Sequence, residues 1–193
     1  LFIAPDFTKE VVLHRFTAGG NCIHSTTIDV DGDGDLDWAG TIASDHPFWL
    51  ENPGIENASK GAWAARPIDT VITGIHCLLT SDIDNDGKDD LVINNFLPDD
   101  GLKDSMAWFS VPKDPYRAPN WDRHVFALGD ARGGSHYMGA GDIDGDGWKE
   151  IAVGAKGKPF ADGNWFAFWK NPGKEKVKGA WKKTVLALDE TAA

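Results

Sequence analysis

Apolar residues come in short bursts along this chain, each four to seven residues long and each stopped by Gly, Pro, Asn or Asp. Such bursts, rich in aromatic and β-branched residues, predict strands, and no long window carries the 3.6-residue period of a helix. The bursts also recur in a fixed order. A His-containing run comes first: Cys22-Ile-His24, Ile75-His-Cys77 and His136-Tyr-Met138. Then follow Leu36–Ile42, Leu91–Phe96 and Ile151–Gly154, and after them an aromatic run that stops at proline: Phe48–Pro53, Trp108–Pro112 and Phe166–Pro172. A run opened by tryptophan closes each unit, at Trp63–Ile68, Trp121–Phe126 and Trp181–Leu186.

Between the first and second runs lies an acidic loop that also repeats: Asp29–Asp37 (DVDGDGDLD), Asp82–Asp90 (DIDNDGKDD) and Asp142–Glu150 (DIDGDGWKE). Carboxylates at positions 1, 3 and 5, glycine at 6, a backbone carbonyl at 7 and a closing carboxylate form an oxygen cage for a hard cation. The expected ligands are Asp29, Asp31, Asp33, Asp35 and Asp37 in the first loop, and Asp82, Asp84, Asp86, Lys88 and Asp90 in the second. The third has Asp142, Asp144, Asp146, Trp148 and Glu150. Asp35, Lys88 and Trp148 are expected to contribute backbone carbonyls. Calcium at three sites is the expected cofactor, in a structural role.

Loop starts are 53 and 60 residues apart. Four strands in a repeat slightly longer than an ordinary propeller blade predict an all-β chain of propeller blades. Blade 1 spans about 20–70, blade 2 about 73–128 and blade 3 about 133–188. Residues 7–16 match a Trp-opened run, so they are expected to form one extra N-terminal outer strand of a neighbouring blade. Three blades are fewer than the roughly four to eight that close a propeller. The expectation is therefore a segment of a larger propeller, or one assembled from copies.

This combination of a DxDxDG loop, an apolar strand, a Trp-x-x-Asn-Pro-Gly turn and a Trp-opened strand resembles the FG-GAP and VCBS repeats of integrin-like propellers, over about Phe7 to Leu188. The resemblance implies a fold, since similar blades serve integrins, fungal lectins, ulvan lyases and aldos-2-ulose dehydratase. Glu150 in place of aspartate, and Val-Pro-Lys in place of Asn-Pro-Gly in blade 2, depart from the pattern.

Composition narrows the function classes. Forty-one per cent apolar content, with nine Trp and ten Phe in 193 residues, suffices to fill the spaces between stacked sheets. The formal charge of −11 is largely ligand: three divalent ions would bring it to about −5. No basic stripe invites nucleic acid, and no apolar run is long enough for membrane insertion. Calcium loops of extracellular modules typically need millimolar ion, which points to a secreted, cell-surface or periplasmic setting. Cys22 and Cys77 fall on neighbouring inner strands, and buried free thiols are the simpler expectation for them than a disulfide.

Two readings of function follow. In the first, the module is a non-catalytic scaffold that binds carbohydrate or protein, together with further blades or other copies of the chain. Trp49, Trp108 and Phe168 align in the third strand and read as core; Trp38, Trp148 and Trp165 lack counterparts and are the candidates for stacking on sugar. In the second, the chain is part of a carbohydrate-active enzyme, a polysaccharide lyase or a sugar dehydratase. His24, His76 and His136 precede their loops by 5, 6 and 6 residues and would meet in a channel. Three neutral imidazoles there could hold a transition metal or supply a general base. With Tyr137, Arg132 and Lys156 nearby, Arg would neutralise a uronate carboxylate while His or Tyr moves the proton of a β-elimination. Repetition favours a structural role for the histidines.

Overall fold

The computed structural model describes residues 1–15, 22–42, 45–95, 106–128, 134–155 and 165–188; for 134–136 and 155 it describes the backbone only. All regular structure among these residues is β. Three four-stranded antiparallel sheets, compatible with propeller blades, follow one another along the chain. Blade 1 contains β3 (Cys22–Ile28), β4 (Asp37–Ile42), β5 (Phe48–Glu51) and β6 (Ala64–Pro67). Blade 2 contains β7 (Ile75–Ser81), β8 (Asp90–Asn95), β9 (Met106–Ser110) and β10 (Asp122–Ala127). Blade 3 contains β11 (Gly134–Gly141), β12 (Glu150–Ala155), β13 (Trp165–Lys170) and β14 (Lys182–Leu188). Strands pair in sequence order within each blade, as adjacent hairpins dictate. The described residues close no ring.

The sheets stack through apolar side chains. One core joins blades 1 and 2 through Val30, Ala39, Trp49, Ile75, Leu91 and Phe109, and a second joins blades 2 and 3 through Ile83, Val92, Trp108, Phe126, Ile151 and Trp169. Strand register makes Trp49, Trp108 and Phe168 equivalent, since each pairs with a small residue of the second strand: Ala39, Val92 and Ala152. Trp49 and Trp108 are completely buried between blades. Each such indole removes ~150–250 Å² from water, worth about 4–6 kcal/mol as an upper figure at ~25 cal/mol/Å². Phe168 is only half-buried, and Ile143 is 51% exposed where its counterparts Val30 and Ile83 are buried. No described sheet covers that face of blade 3.

Outer strands are tied by a bond that repeats. The amide of each opening tryptophan donates to the end of the preceding outer strand: Trp121 to Ile68 at 2.8 Å, Trp181 to Phe126 at 2.9 Å, and Trp63 to Leu13 at 2.8 Å. Leu13 therefore stands where Ile68 and Phe126 stand. Upstream of it, β1 (Phe2–Ile3) pairs with β2 (Lys9–Glu10), and Leu1 exchanges backbone bonds with Val11 at 3.0 and 2.8 Å. In register the hairpin matches β5 and β6, with Leu1–Pro5 at the positions of Trp49–Pro53. Sequence pattern anticipates only the second of these strands, and the strand proper is Lys9–Glu10; Phe7 sits in the turn with φ 57° and is 60% exposed.

A salt bridge adds a polar tie between the outer strands. Arg123 of β10 donates to both oxygens of Asp69 at 3.1 and 3.0 Å, and Asp69 is 3% exposed. The same Asp69 caps the turn after β6 by accepting from Val71 and Ile72, each at 2.7 Å.

Candidate metal loops and the inner-strand cluster

The three acidic loops share one hydrogen-bond scheme, in which side chains fold the loop that carries them. The first aspartate accepts from the amide of position 6: Gly34 to Asp29 at 3.1 Å, Gly87 to Asp82 at 3.0 Å, Gly147 to Asp142 at 2.9 Å. The fifth accepts from position 7: Asp35 to Asp33, Lys88 to Asp86 and Trp148 to Asp146, each at 2.9 Å. Position 6 has φ between 89° and 92°, a conformation that selects glycine. Position 4 is also left-handed, and Asn85 serves there in the second loop with φ 57°.

The closing carboxylates stand apart from the others because they are buried: Asp37 is 1% exposed, Asp90 4% and Glu150 0%. One oxygen of each accepts from position 2, with Val30 to Asp37 at 2.9 Å, Ile83 to Asp90 at 2.9 Å and Ile143 to Glu150 at 2.8 Å. Burial pushes the Asp37 carboxyl up to about 6 against the pull of the Asn52 and Val30 amides, and the charges of Asp31 and Asp35 add to the rise. Asp90 is pushed up to about 7, again chiefly by burial, with Asp84 and Asp86 adding. In Glu150 the second oxygen, Oε1, is enclosed and has no hydrogen-bond partner.

Oxygens of Asp29, Asp31 and Asp33 lie within 4.8 Å of one another; so do those of Asp82, Asp84 and Asp86, and those of Asp142, Asp144 and Glu150. Ligands 2.3–2.6 Å from a calcium ion lie up to about 5 Å apart across it. The donor set is all oxygen, the spacing suits the ion, and Glu150, whose Oε1 is unpaired, belongs to the third group. These residues therefore fit a hard divalent cation. Of the carbonyls expected at Asp35, Lys88 and Trp148, the described geometry fixes the amide side of each residue; the Asp35 carboxylate also has an enclosed, unpaired Oδ1.

Residues outside the loops brace them, and sequence pattern gives little sign of several. The Asn-Pro-Gly turn works as a clamp: Asn52 donates to Leu36 O at 3.1 Å, and Asn171 donates to Lys149 O at 3.3 Å, in each case the carbonyl just before the closing carboxylate. Asn171 also reaches Ile83 O of blade 2 at 3.0 Å. Tyr116, from the turn after β9, donates to Asp31 and, at 3.4 Å, to Glu51; these carboxylates hold its hydroxyl proton well above the usual tyrosine range. Arg66 pairs with Glu51 at 2.8 Å and lies over the Tyr116 ring at 4.8 Å. Lys170 contacts Asp144 and, at 3.2 Å, Asp146.

A second constellation lies on the inner strands. The rings of His24 and His76 are 6.5 Å apart, and the His24 ring meets that of Tyr137 edge-on at 6.1 Å. Three of the expected catalytic residues thus cluster across β3, β7 and β11. The expected equivalence of the histidines does not hold. His24 pairs with Thr41, whereas in blade 2 the corresponding partner Asn94 pairs with Cys77. His24, Cys77 and Tyr137 each stand five residues before their loops, and His76 belongs to the irregular rung between Ile75 and Cys77. His136 lies in β11 with only its backbone described, and Arg132 and Lys156 lie outside the described residues.

The remaining expectations divide. Trp165 is 4% exposed and packs edge-on to Trp169, so it belongs to the core and does not present a ring to sugar. Trp38 lies over Gly40 and beside Phe48, half-buried; Trp148 lies over Gly173. Cys22 and Cys77 are both thiols, and of the two only Cys77 is buried. A groove of about 520 Å³ runs between the first two acidic loops, where Asp29, Asp31, Leu36, Lys88 and Lys113 meet.

No protein-family model matches this chain, and no curated protein matches it.

Proposed function

We propose that this chain is a calcium-stabilised module of β-propeller blades, of FG-GAP/VCBS type, that serves outside the cytoplasm as a binding scaffold for carbohydrate or protein. The observation that carries the reading is Glu150: a fully buried carboxylate with one oxygen unpaired, set against Asp142 and Asp144. Burying such a charge without a counter-ion is costly, and a divalent cation removes the cost. When bound, calcium would supply charge neutralisation and a rigid turn. The residues that would hold it are those of the three oxygen groups and their closing carboxylates. Affinity of such loops in the extracellular range supports the proposed location.

Binding surface is available where loops of adjacent blades line the 520 Å³ groove, and on the uncovered face of blade 3 with Ile143 and Phe168. Further blades, or other copies of the chain, are the proposed partners of that face, because the next blade covers the equivalent face in blades 1 and 2. The test is calcium titration by calorimetry, followed by affinity electrophoresis through a panel of polysaccharides in calcium and in chelator. Uptake of about three ions per chain, one for each loop, is expected. Absence of calcium uptake would sink the proposal.

The His24, His76 and Tyr137 cluster favours a second reading, that of a lyase or dehydratase site. An imidazole and a phenol about 6 Å apart, ring to ring, can divide proton removal and proton donation between them, and paired imidazoles are also ligands for a transition metal. The distinguishing experiment follows unsaturated uronate by ultraviolet absorbance on acidic polysaccharides. Turnover that His76→Ala and Tyr137→Phe abolish at unchanged melting temperature would establish the enzyme; no turnover on any of them would leave the cluster structural.

A further inference from the structure

The three loops share a backbone scheme but not their surroundings. Register places one residue of the third strand beside each closing carboxylate: Glu51 follows Leu50, which pairs with Trp38; Ser110 follows Phe109, which pairs with Leu91; Lys170 follows Trp169, which pairs with Ile151. The charge at this position therefore runs from negative through neutral to positive across the three blades. Glu51 is itself paired with Arg66; Lys178 acts on Asp84 of the second loop by its charge, but among the described residues no ammonium forms an ion pair with the first or second loop. In blade 3 the Lys170 ammonium contacts Asp144 and lies 3.2 Å from Asp146, which are loop positions 3 and 5.

An ammonium at this place opposes a divalent ion in two ways. It occupies donor sites on Asp144 and Asp146, and it repels a second cation a few ångströms away. The buried Glu150, grouped with Asp142 and Asp144 and with one oxygen unpaired, gives the loop an inner anchor that a surface ammonium does not replace. Lys170 is 43% exposed in its side chain, so it can swing into water without disturbing the sheet.

We infer that Lys170 is a specificity-determining residue of the third loop: it is a built-in competitor that makes this loop fill at higher calcium than the other two, and filling releases its side chain. The inference rests on the calcium reading of the loops. A unit charge and a divalent ion ~5 Å apart in a water-like medium repel by an amount corresponding to roughly tenfold in affinity.

Terbium titration tests it, because Trp148 at position 7 of the third loop can sensitise the lanthanide there, and calcium then displaces it. In the wild type, the phase lost in Trp148→Phe should be the weakest phase. Lys170→Met should move that phase about tenfold to lower terbium and lower calcium, the largest shift of any phase, whereas Lys170→Arg should leave it in place. Lys170→Gln repeats the neutralisation with a polar side chain, and melting in chelator checks that both neutral variants fold. An unmoved phase in folded Met and Gln variants overturns the role of Lys170 while leaving the calcium loops standing. A wild type that takes up neither terbium nor calcium overturns both.

Discussion

Replacing Glu150 by glutamine should change stability in opposite directions with and without calcium. Glutamine keeps the shape and can keep the acceptor for the Ile143 amide, now 2.8 Å from Oε2. What it removes is the charge on a fully buried group whose other oxygen has no partner. In chelator, that charge lies beside Asp142 and Asp144 with only the surface Lys170 ammonium to offset the group. Its removal is then neutral or stabilising, and the new amide can donate to the neighbouring carboxylates. In calcium the same charge is a ligand. At 10 mM ion and a dissociation constant of ~10⁻⁴–10⁻³ M, one loop contributes about 1.4–2.7 kcal/mol through mass action. Losing most of that lowers the melting temperature by about 3–10 °C in a chain of this size.

Differential scanning calorimetry of wild type and Glu150→Gln, each in 10 mM calcium and in chelator, gives the four numbers required. The expected result is a lower melting temperature for the variant in calcium and an equal or higher one in chelator. A variant destabilised equally in both media would refute the reasoning, because Glu150 would then act through its packing and its bond to Ile143 alone. Equal melting temperatures in calcium would refute it too, since no ligand would have been lost.

Chelation of the wild type should remove the contribution of all three loops, about 4–8 kcal/mol or roughly 10–30 °C of melting temperature; an unchanged thermogram would rule out the cages. Arg123→Met strips the buried Asp69 of its partner, and although the Val71 and Ile72 amides remain, a loss of about 3 kcal/mol is expected by urea denaturation; a loss under 1 kcal/mol would show the pair to be incidental. The His124 ring packs against that of Trp108 at 4.3 Å, tilted by 46°, and burial first, then the Lys178 charge, lowers its pKa below the ordinary 6.5. The unfolded chain therefore takes up this proton more readily, so the contribution of His124 to stability is complete above about pH 6.5 and is lost as pH falls below it, opposite in sign to that of the raised Asp37 and Asp90 carboxyls. The stability difference between His124→Gln and wild type should therefore shift in favour of the variant between pH 7.5 and 5.5, and a difference that does not vary with pH would exclude this role for His124.

What could be read from sequence was whatever the chain repeats. The second strand of every blade was expected within one residue of its observed bounds, because an acidic loop fixes its start and apolar runs fix its length. The loops were legible for the same reason: Gly34, Gly87 and Gly147 must take positive φ, and aspartates must sit where amides need acceptors. Features used once were not legible. Leu1–Pro5 lacks the tryptophan of the other third strands and the Asn-Pro-Gly that closes two of them, so the pattern does not reveal β1. Trp165 has no counterpart in sequence, yet packing against Trp169 buries it. Tyr116 and Lys170 reach acidic loops 85 and 26 residues away, distances that a local pattern does not span. Spacing of 5, 6 and 6 residues already hinted that His24 is out of step with the other histidines, and the register makes the step explicit.

The loops and the sheet stack form one mechanical system. Each closing carboxylate pins the start of a second strand to its own loop, and the Asn-Pro-Gly clamp ties the third strand to the carbonyl next to it. Bonds then pass from blade to blade beside the cages: Tyr116 of blade 2 to Asp31 of blade 1, Asn85 of blade 2 to Gly147 of blade 3, Asn171 of blade 3 to Ile83 of blade 2. In a stacked array, stability is the sum of each unit and its interfaces. A cation that orders one loop here acts on both terms, since the groups it orders include the acceptors and carbonyls that the neighbouring blade uses. Loss of the proposed cation at a single loop should therefore loosen two blades. Blade 2 lacks the Asn-Pro-Gly clamp, and its loop is tied instead to blade 3 through Asn85 to Gly147 O and Asn171 to Ile83 O. For this reason the second loop is the one whose order should be most sensitive to the state of the third.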